Sequence, residues 1–375
     1  MKAKKRILLI SSDYTGHGHK SIAMALSESL EAVNPELIVE EINGFSLGGP
    51  FGTSIEKLYV PLVTNAPLLW KAFFILADRF SNLLNIYTAR RIEASFLKKF
   101  SEFNPDLIVS VHPGFVGSIH KILEKNKLDT PVIVIISDLI SIADIWLDKR
   151  CSYILCPTAE AESVVLRKGI PAESVKVFGF PLRQRFCQGH LKKPVLDADA
   201  ESKTLDFLVF ANAFGKHQAQ KTILTLLKNF NCRVTLLTGR DEKFKKSLEN
   251  SLLPLTKGRL TLPGYVSNME EFMRRSDLLI TKAGPNILME AIHCGIPIII
   301  SGRLPGQEEG NPGWILSKRL GLNSFTVSNL SGVISRLLDN NHLLLGEIAR
   351  NQQRYATPDA TNEIAFFLSS VSKSL

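Results

Sequence analysis

Histidine, aspartate and glutamate at a few glycine- or proline-flanked positions are the residues best suited by type and spacing to do chemistry. His17 and His19 stand in Ser12-Asp-Tyr-Thr-Gly-His-Gly-His-Lys20, with Gly16 and Gly18 beside them. Glycine lets a backbone approach a ligand, a helix start favours anionic groups, and imidazole exchanges protons near neutral pH. The turn therefore suits proton abstraction from a hydroxyl. It meets neither the Walker spacing nor the dinucleotide fingerprint. Asp138 follows the apolar run Val132 to Ile136, where a carboxylate would orient an imidazole or bind acceptor hydroxyls. His112, in Val111-His-Pro-Gly114, stands at another strand end and either lines the site or caps the helix that follows.

A second group lies in Leu278-Leu-Ile-Thr-Lys-Ala-Gly-Pro-Asn-Ile-Leu-Met-Glu290. An apolar strand enters the Gly284-Pro285 turn, and a helix then carries Glu290 about one turn in. Another apolar strand, Ile296 to Ile300, leads to the polar loop Leu304-Pro-Gly-Gln-Glu-Glu-Gly-Asn311. Amides at a helix start suit a diphosphate, a carboxylate on that helix suits a ribose diol, and Gln307 with Glu308 suits sugar hydroxyls. Strand-turn-helix-strand is also the repeating unit of any parallel sheet, with Glu290 then a solvated helix residue.

The second group resembles the donor-site signature of the monogalactosyldiacylglycerol synthase and processive diacylglycerol glucosyltransferase family, which is glycosyltransferase family 28-like. Lys282-Ala283-Gly284-Pro285, Glu290, and Pro305-Gly306-Gln307-Glu308 through Asn311 match it. Asn286 and Ile287 replace a usual glycine and threonine. Thr238-Gly239-Arg240 and Leu262-Pro-Gly264-Tyr265-Val266 fit strand-end motifs, the latter flanking the base. Only Gly215 remains of a glycine-rich loop that here reads Ala211-Asn-Ala-Phe214. In the family a threonine-triglycine-histidine turn presents its histidine to the acceptor hydroxyl. Thr15, Gly16, Gly18 and His19 match that turn and His17 replaces the middle glycine, so His19 is the expected base. Asp138 and Trp146 match an acceptor loop whose two histidines are here Ala143 and Asp148.

The resemblance implies an α/β protein of GT-B type, with two Rossmann-like doubly wound domains facing a cleft. It implies inverting, metal-independent transfer of a hexose from a UDP-sugar to a membrane lipid such as diacylglycerol. His19 and Asp138 would then be catalytic, with no cofactor beyond the sugar nucleotide. Two alternatives stand beside it: a catalytically degenerate relative that binds lipid or nucleotide, and a UDP-sugar epimerase of the same fold.

The elements that position these residues are legible as alternating apolar runs and helical segments. The chain has 375 residues, enough for two cores, with 45% apolar and 22% charged residues. The strand-like runs divide it into 1–186 (acceptor side), a linker over 187–204, 205–355 (nucleotide side), and a terminal helix over 356–375 that crosses back. A net charge of +9 and a pI near 9.2 fit an anionic partner. The resemblance selects the nucleotide-sugar donor, the lipid acceptor and an anionic membrane surface over nucleic acid. The five cysteines show no metal-ligand spacing. Nothing reads as a signal peptide, and Leu58 to Ala77 is broken by Pro61, Asn65, Pro67 and Lys71, a poor spanning helix. The expected location is cytoplasmic and peripheral to a membrane. Between Phe51 and Phe103, Trp70, Phe73 and Phe74 interleave with Lys57, Lys71, Arg79, Arg90 and Arg91, as an interfacial segment requires.

Overall fold

The structure is a computed structural model, and it describes residues 4–15, 18–188, 204–211 and 216–371. By packing, the chain divides into two compact units. One comprises Met1–Gln184, Pro305–Gln307 and Thr357–Leu375, the other Arg185–Leu304 and Glu308–Ala356.

In the first unit, β1 (Arg6–Ser11), β2 (Ile38–Asn43), β3 (Leu107–Ser110), β4 (Val132–Ile135), β5 (Tyr153–Cys156) and β6 (Val175–Val177) form a parallel sheet in the order β2-β1-β3-β4-β5-β6. The apolar runs of β1, β3 and β4 are buried along their length, as strands covered on both faces must be. Because β1, β3 and β4 are neighbours and parallel, the segments leaving their C-terminal ends are brought side by side. Those segments carry His19, His112 and Asp138. Helix α1 (Gly18–Val33) packs Ile22, Leu26 and Leu30 inward at helical spacing. The terminal helix Ala360–Ser370 packs on α1, and Lys5 Nζ donates to Leu368 O (2.6 Å) and Ser369 O (3.0 Å) at its C-terminal end.

Three consecutive helices fill the connection from β2 to β3: α2 (Gly49–Asn65), α3 (Pro67–Arg79) and α4 (Ser81–Phe103). Their faces differ. α4 buries Asn85, Ala89, Ile92, Phe96 and Phe103, an ordinary core-facing stripe with Arg90 and Arg91 on the solvent side. α3 buries none of its residues, and α2 buries only Gly52 and Glu56. A Cβ at Gly52 would collide with the Phe45 carbonyl oxygen, so glycine sets how closely α2 approaches. Among the described residues, no helix is long and apolar enough to cross a membrane.

In the second unit, β7 (Leu205–Phe210), β8 (Cys232–Leu237), β9 (Leu260–Thr261), β10 (Leu278–Lys282), β11 (Ile298–Gly302) and β12 (Gly321–Asn323) form a parallel sheet ordered β12-β11-β10-β7-β8-β9. β10 sits between β11 and β7, and helix Pro285–Cys294 leaves its end. Ser301 is an extra residue in β11, where the register with β10 shifts between Thr281 and Lys282. Such bulges recur beside functional strand ends.

Candidate active site

His19 lies on the first turn of α1 and is buried. Its Nδ1 is 2.6 Å from the Val111 carbonyl oxygen, with Ser137 Oγ at 3.4 Å. A carbonyl only accepts, so Nδ1 carries the proton and donates, and Nε2 holds a lone pair. Burial lowers the His19 pKa to about 4, partly offset by the Val111 bond. The ring meets His112 edge-on at 4.6 Å between centroids, with Trp146 at 6.1 Å. His112 caps the turn Pro113–Phe115, accepting from Gly114 N at Nδ1 (3.1 Å), which leaves its own proton on Nε2. Burial, with the His19 charge second, holds the His112 pKa well below its ordinary value. The two imidazoles are thus neutral and in opposite tautomers.

Asp138 is buried too, but the orienting partner of His19 is the Val111 carbonyl rather than this carboxylate. Asp138 Oδ2 accepts from Trp146 Nε1 at 2.7 Å. Gln307, packed with the same unit, donates from Nε2 to Asp138 Oδ1 at 3.3 Å. Trp146 is a core residue whose indole N–H serves this carboxylate. Ala143 is core as well, and Asp148 is held by Arg150 through contacts of 2.9 and 2.7 Å. Gly16, His17 and Gly215 lie outside the described residues, as does most of the Ala211 to Phe214 loop.

A residue that the sequence reading passed over holds the start of the His19 turn. Glu56 Oε1 accepts from the amides of Asp13 (2.6 Å) and Tyr14 (2.9 Å), and Oε2 accepts from Asn43 Nδ2 (2.9 Å). Asn43 Nδ2 also donates to Asp13 Oδ2 (3.0 Å), and Lys20 bridges Asp13 and Glu41. The available signal was that Glu56 is the lone acidic residue between Glu41 and Asp78, inside an apolar run.

In the second unit, Gly284 caps helix Pro285–Cys294, Pro285 opens it, and Glu290 is buried on it. Lys282 Nζ lies 3.3 Å from Glu308 Oε1, and Glu308 Oε2 accepts from Leu304 N at 2.7 Å. The carboxylate expected to meet sugar hydroxyls therefore already closes its own loop. Asn311 Nδ2 donates to the Ala283 carbonyl at 2.8 Å, pinning the turn before the helix. Gly239, Gly264 and Gly306 have φ of 67°, 79° and 89°, a region that favours glycine for backbone reasons alone. The Arg240 guanidinium stacks over the exposed Tyr265 ring at 4.6 Å, with Val266 partly buried beside it. The hydroxyls of Thr238, Thr281 and Ser301 are enclosed without a hydrogen-bond partner at the ends of β8, β10 and β11. Neither Thr281 nor Ser301 stood out in the sequence, since both look like ordinary strand residues. Pro305 and Gly306 pack with the first unit, together with Gln307. Among the described residues, no group of three or more His, Cys, Asp or Glu side chains forms a metal-holding cluster.

The aromatic residues expected at a membrane divide by exposure. Phe73 is half exposed, whereas Trp70 and Phe74 are partly buried, and Trp70 stacks edge-on with Tyr59 at 5.0 Å. The most exposed apolar side chain there is Leu68 (78%), followed by Leu58, Leu69 and Leu83 (62% each).

Comparison with known proteins bears on the fold and on the sequence pattern. Residues 19–182 match the family described as monogalactosyldiacylglycerol (MGDG) synthase, and residues 204–301 match the glycosyltransferase family 28 C-terminal domain. Probable monogalactosyldiacylglycerol synthase 2, chloroplastic, of Oryza sativa subsp. indica is 26% identical over 96% of this chain and 80% of its own length. Monogalactosyldiacylglycerol synthase 3, chloroplastic, of Arabidopsis thaliana is 26% identical with the same coverage. Among solved structures, MurG of Acinetobacter baumannii aligns with a TM-score of 0.64 at 13% identity, over 98% of this chain and 100% of that one. A UDP-GlcNAc 2-epimerase of Neisseria meningitidis, bound to UDP-GlcNAc, gives 0.63 at 13%, over 97% and 99%. These structural likenesses show the fold, GT-B. With a monogalactosyldiacylglycerol synthase pattern followed by a family 28 C-terminal pattern on that fold, the chain is a glycosyltransferase of the family 28 and monogalactosyldiacylglycerol synthase type.

Proposed function

We propose that the protein transfers a hexose from a UDP-sugar to the hydroxyl of a diacylglycerol-like lipid at a membrane surface, with inversion and with His19 as the base. The observation that carries this reading is the fixed tautomer of His19: Nδ1–H is held on the Val111 carbonyl, so a lone pair remains on Nε2. The acceptor hydroxyl gives its proton to Nε2 while its oxygen attacks the anomeric carbon. The bond from that carbon to the diphosphate breaks on the opposite side, and UDP departs. One displacement inverts the centre.

The departing charge would be met by the amides at the start of helix Pro285–Cys294 and by Lys282, whose side chain stays about a third exposed beside Glu308. Glu290 is assigned to the ribose diol, and Thr281 and Ser301 have hydroxyls that a bound nucleotide would satisfy. A lipid acceptor requires the enzyme to sit on the bilayer. Supporting this, α2 and α3 present Leu58, Leu68, Leu69, Phe73, Ile75 and Leu76 to solvent, with Lys57 and Arg79 nearby. Peripheral association with a membrane follows.

A binding-only relative is the second reading, and one observation favours it: Ala143 is core and Asp148 is tied to Arg150, so this acceptor loop supplies no imidazole. Incubating the purified protein with labelled UDP-galactose, UDP-glucose or UDP-N-acetylglucosamine and diacylglycerol vesicles separates the two. Labelled glycolipid with one donor is expected. UDP binding with no transfer to lipid from any donor would establish the second reading instead.

A further inference from the structure

Helix α2 is built with its polar group inside and its apolar groups outside. Phe51, Ile55 and Leu58 are exposed on one side, while the two buried residues, Gly52 and Glu56, lie one turn apart on a different stripe. Water-facing helices normally bury the apolar stripe, so the outward face needs another cover and the inward carboxylate needs a task. That task is visible. Glu56 receives the amides of Asp13 and Tyr14, two and three residues past β1, and through Asn43 it is tied to the end of β2. His19 is fixed at the other end of this connection by Val111. The same helix therefore touches the surface that would meet lipid and the segment that leads to the base.

We propose that Glu56 is a positioning residue that couples docking of α2 and α3 on a lipid surface to the placement of Asp13 and Tyr14 ahead of His19, an inference that rests on the transferase reading above. α2 also approaches the Phe45 carbonyl closely at Gly52, a contact in which the carboxylate takes no part. Glu56→Gln keeps the shape and removes the match. The new amide NH2 would face Asn43 Nδ2, donor against donor. Asn43 cannot turn over without giving up the bond from Phe45 N to its Oδ1 (2.9 Å). The amides of Asp13 and Tyr14 then share one weaker acceptor.

The test uses the full chain with vesicles of phosphatidylglycerol containing diacylglycerol. Wild-type protein should show slower hydrogen exchange at the Asp13 and Tyr14 amides when vesicles are added, and Glu56→Gln should lose that slowing. In the variant, kcat should fall roughly 10- to 100-fold, with UDP affinity and vesicle affinity unchanged and only a modest fall in melting temperature from the mispaired amide. Glu56→Asp, one methylene shorter but still charged, should recover part of the loss. Unchanged kcat and exchange in Glu56→Gln would overturn the coupling, and so would a joint fall in stability and UDP affinity, which would make the residue merely structural. Should the wild type transfer no sugar, the transferase reading fails alone. The exchange measurement then still decides: vesicle-dependent slowing that depends on Glu56 sustains the coupling, and its absence ends it.

Discussion

The turn after β1 and the turn after β10 are the same local device, a parallel strand running into a helix start, yet they are furnished in opposite ways. The first is surrounded by neutral, buried imidazoles and backbone acceptors. The second carries a lysine–glutamate pair and an asparagine bound to the turn's own carbonyl. Moving a proton requires a group free to change charge, and desolvation keeps the histidines in the uncharged form that can receive one. Holding a diphosphate requires charges that do not change, and Lys282 keeps contact with water while paired. On the function proposed above, proton chemistry falls to the first unit and charge binding to the second.

The sharpest way to break that division is His19→Ala. Turnover should drop by about 10²–10⁴, the usual contribution of a general base, while calorimetric UDP affinity stays within about twofold. A comparable loss of UDP affinity would show that the two turns do not divide the work. Next in size, replacing Leu68, Leu69 and Phe73 together by serine should weaken vesicle binding by about 100-fold, at roughly 1 kcal/mol for each partly inserted side chain. Binding should also fall with added salt and rise with anionic lipid, because the basic rim is screened over about 10 Å. Equal sedimentation of triple variant and wild type would remove α3 from the interface.

Acid sharpens the comparison differently. His19 and His120 are both pushed down to about 4 by burial, below the 6.5 of an unfolded chain. Between those values the unfolded state binds more protons, so stability is complete above about pH 6.5 and falls as pH drops towards 4. By pH 5 each histidine should have cost about 2 kcal/mol, roughly thirtyfold in the folding equilibrium. Denaturant titrations at pH 7 and pH 5 measure the loss, and His19→Ala should shrink it by one share. If His19 is the base, the acid limb of kcat/KM should also lie well below pH 6.5. The smallest effect expected is on the donor side. Glu290→Ala should weaken UDP binding about tenfold, the equivalent of one charge-assisted hydrogen bond to the ribose. Unaltered affinity would take Glu290 out of the site.

Much of the scaffold was legible because parallel strands covered on both faces are written as unbroken apolar runs. Tyr153–Cys156, Val175–Val177 and Leu205–Phe210 appear with the bounds their residues suggest. β11 begins at Ile298, not Ile296, since Pro297 has no amide to give to a ladder. β9, with two residues, is too short to show a period, and β12 reads Gly-Leu-Asn with a single apolar side chain. In the region 51–103 the basic residues of α4 looked continuous with those of α2 and α3, although the spacing of Ala89, Ile92, Phe96 and Phe103 already described a core face. At the site, His19 could be read from its turn, and Asp138 and Trp146 from their shared segment. What could not be read was the bond from His19 to Val111, because a backbone carbonyl has no side-chain signature. Glu56 escaped for a related reason: its partners are amides distant in sequence.

The third helix, α3, buries none of its side chains, and that separates two kinds of selection. Polar replacements at Leu68 and Leu69 remove little packing from the folded protein in water, so thermal denaturation should hardly register them. A library sorted by heat tolerance or expression yield alone would therefore drift towards serine and lysine at these positions. The variants recovered would be more soluble and equally well folded, and they would have lost apolar surface that the proposed lipid docking needs.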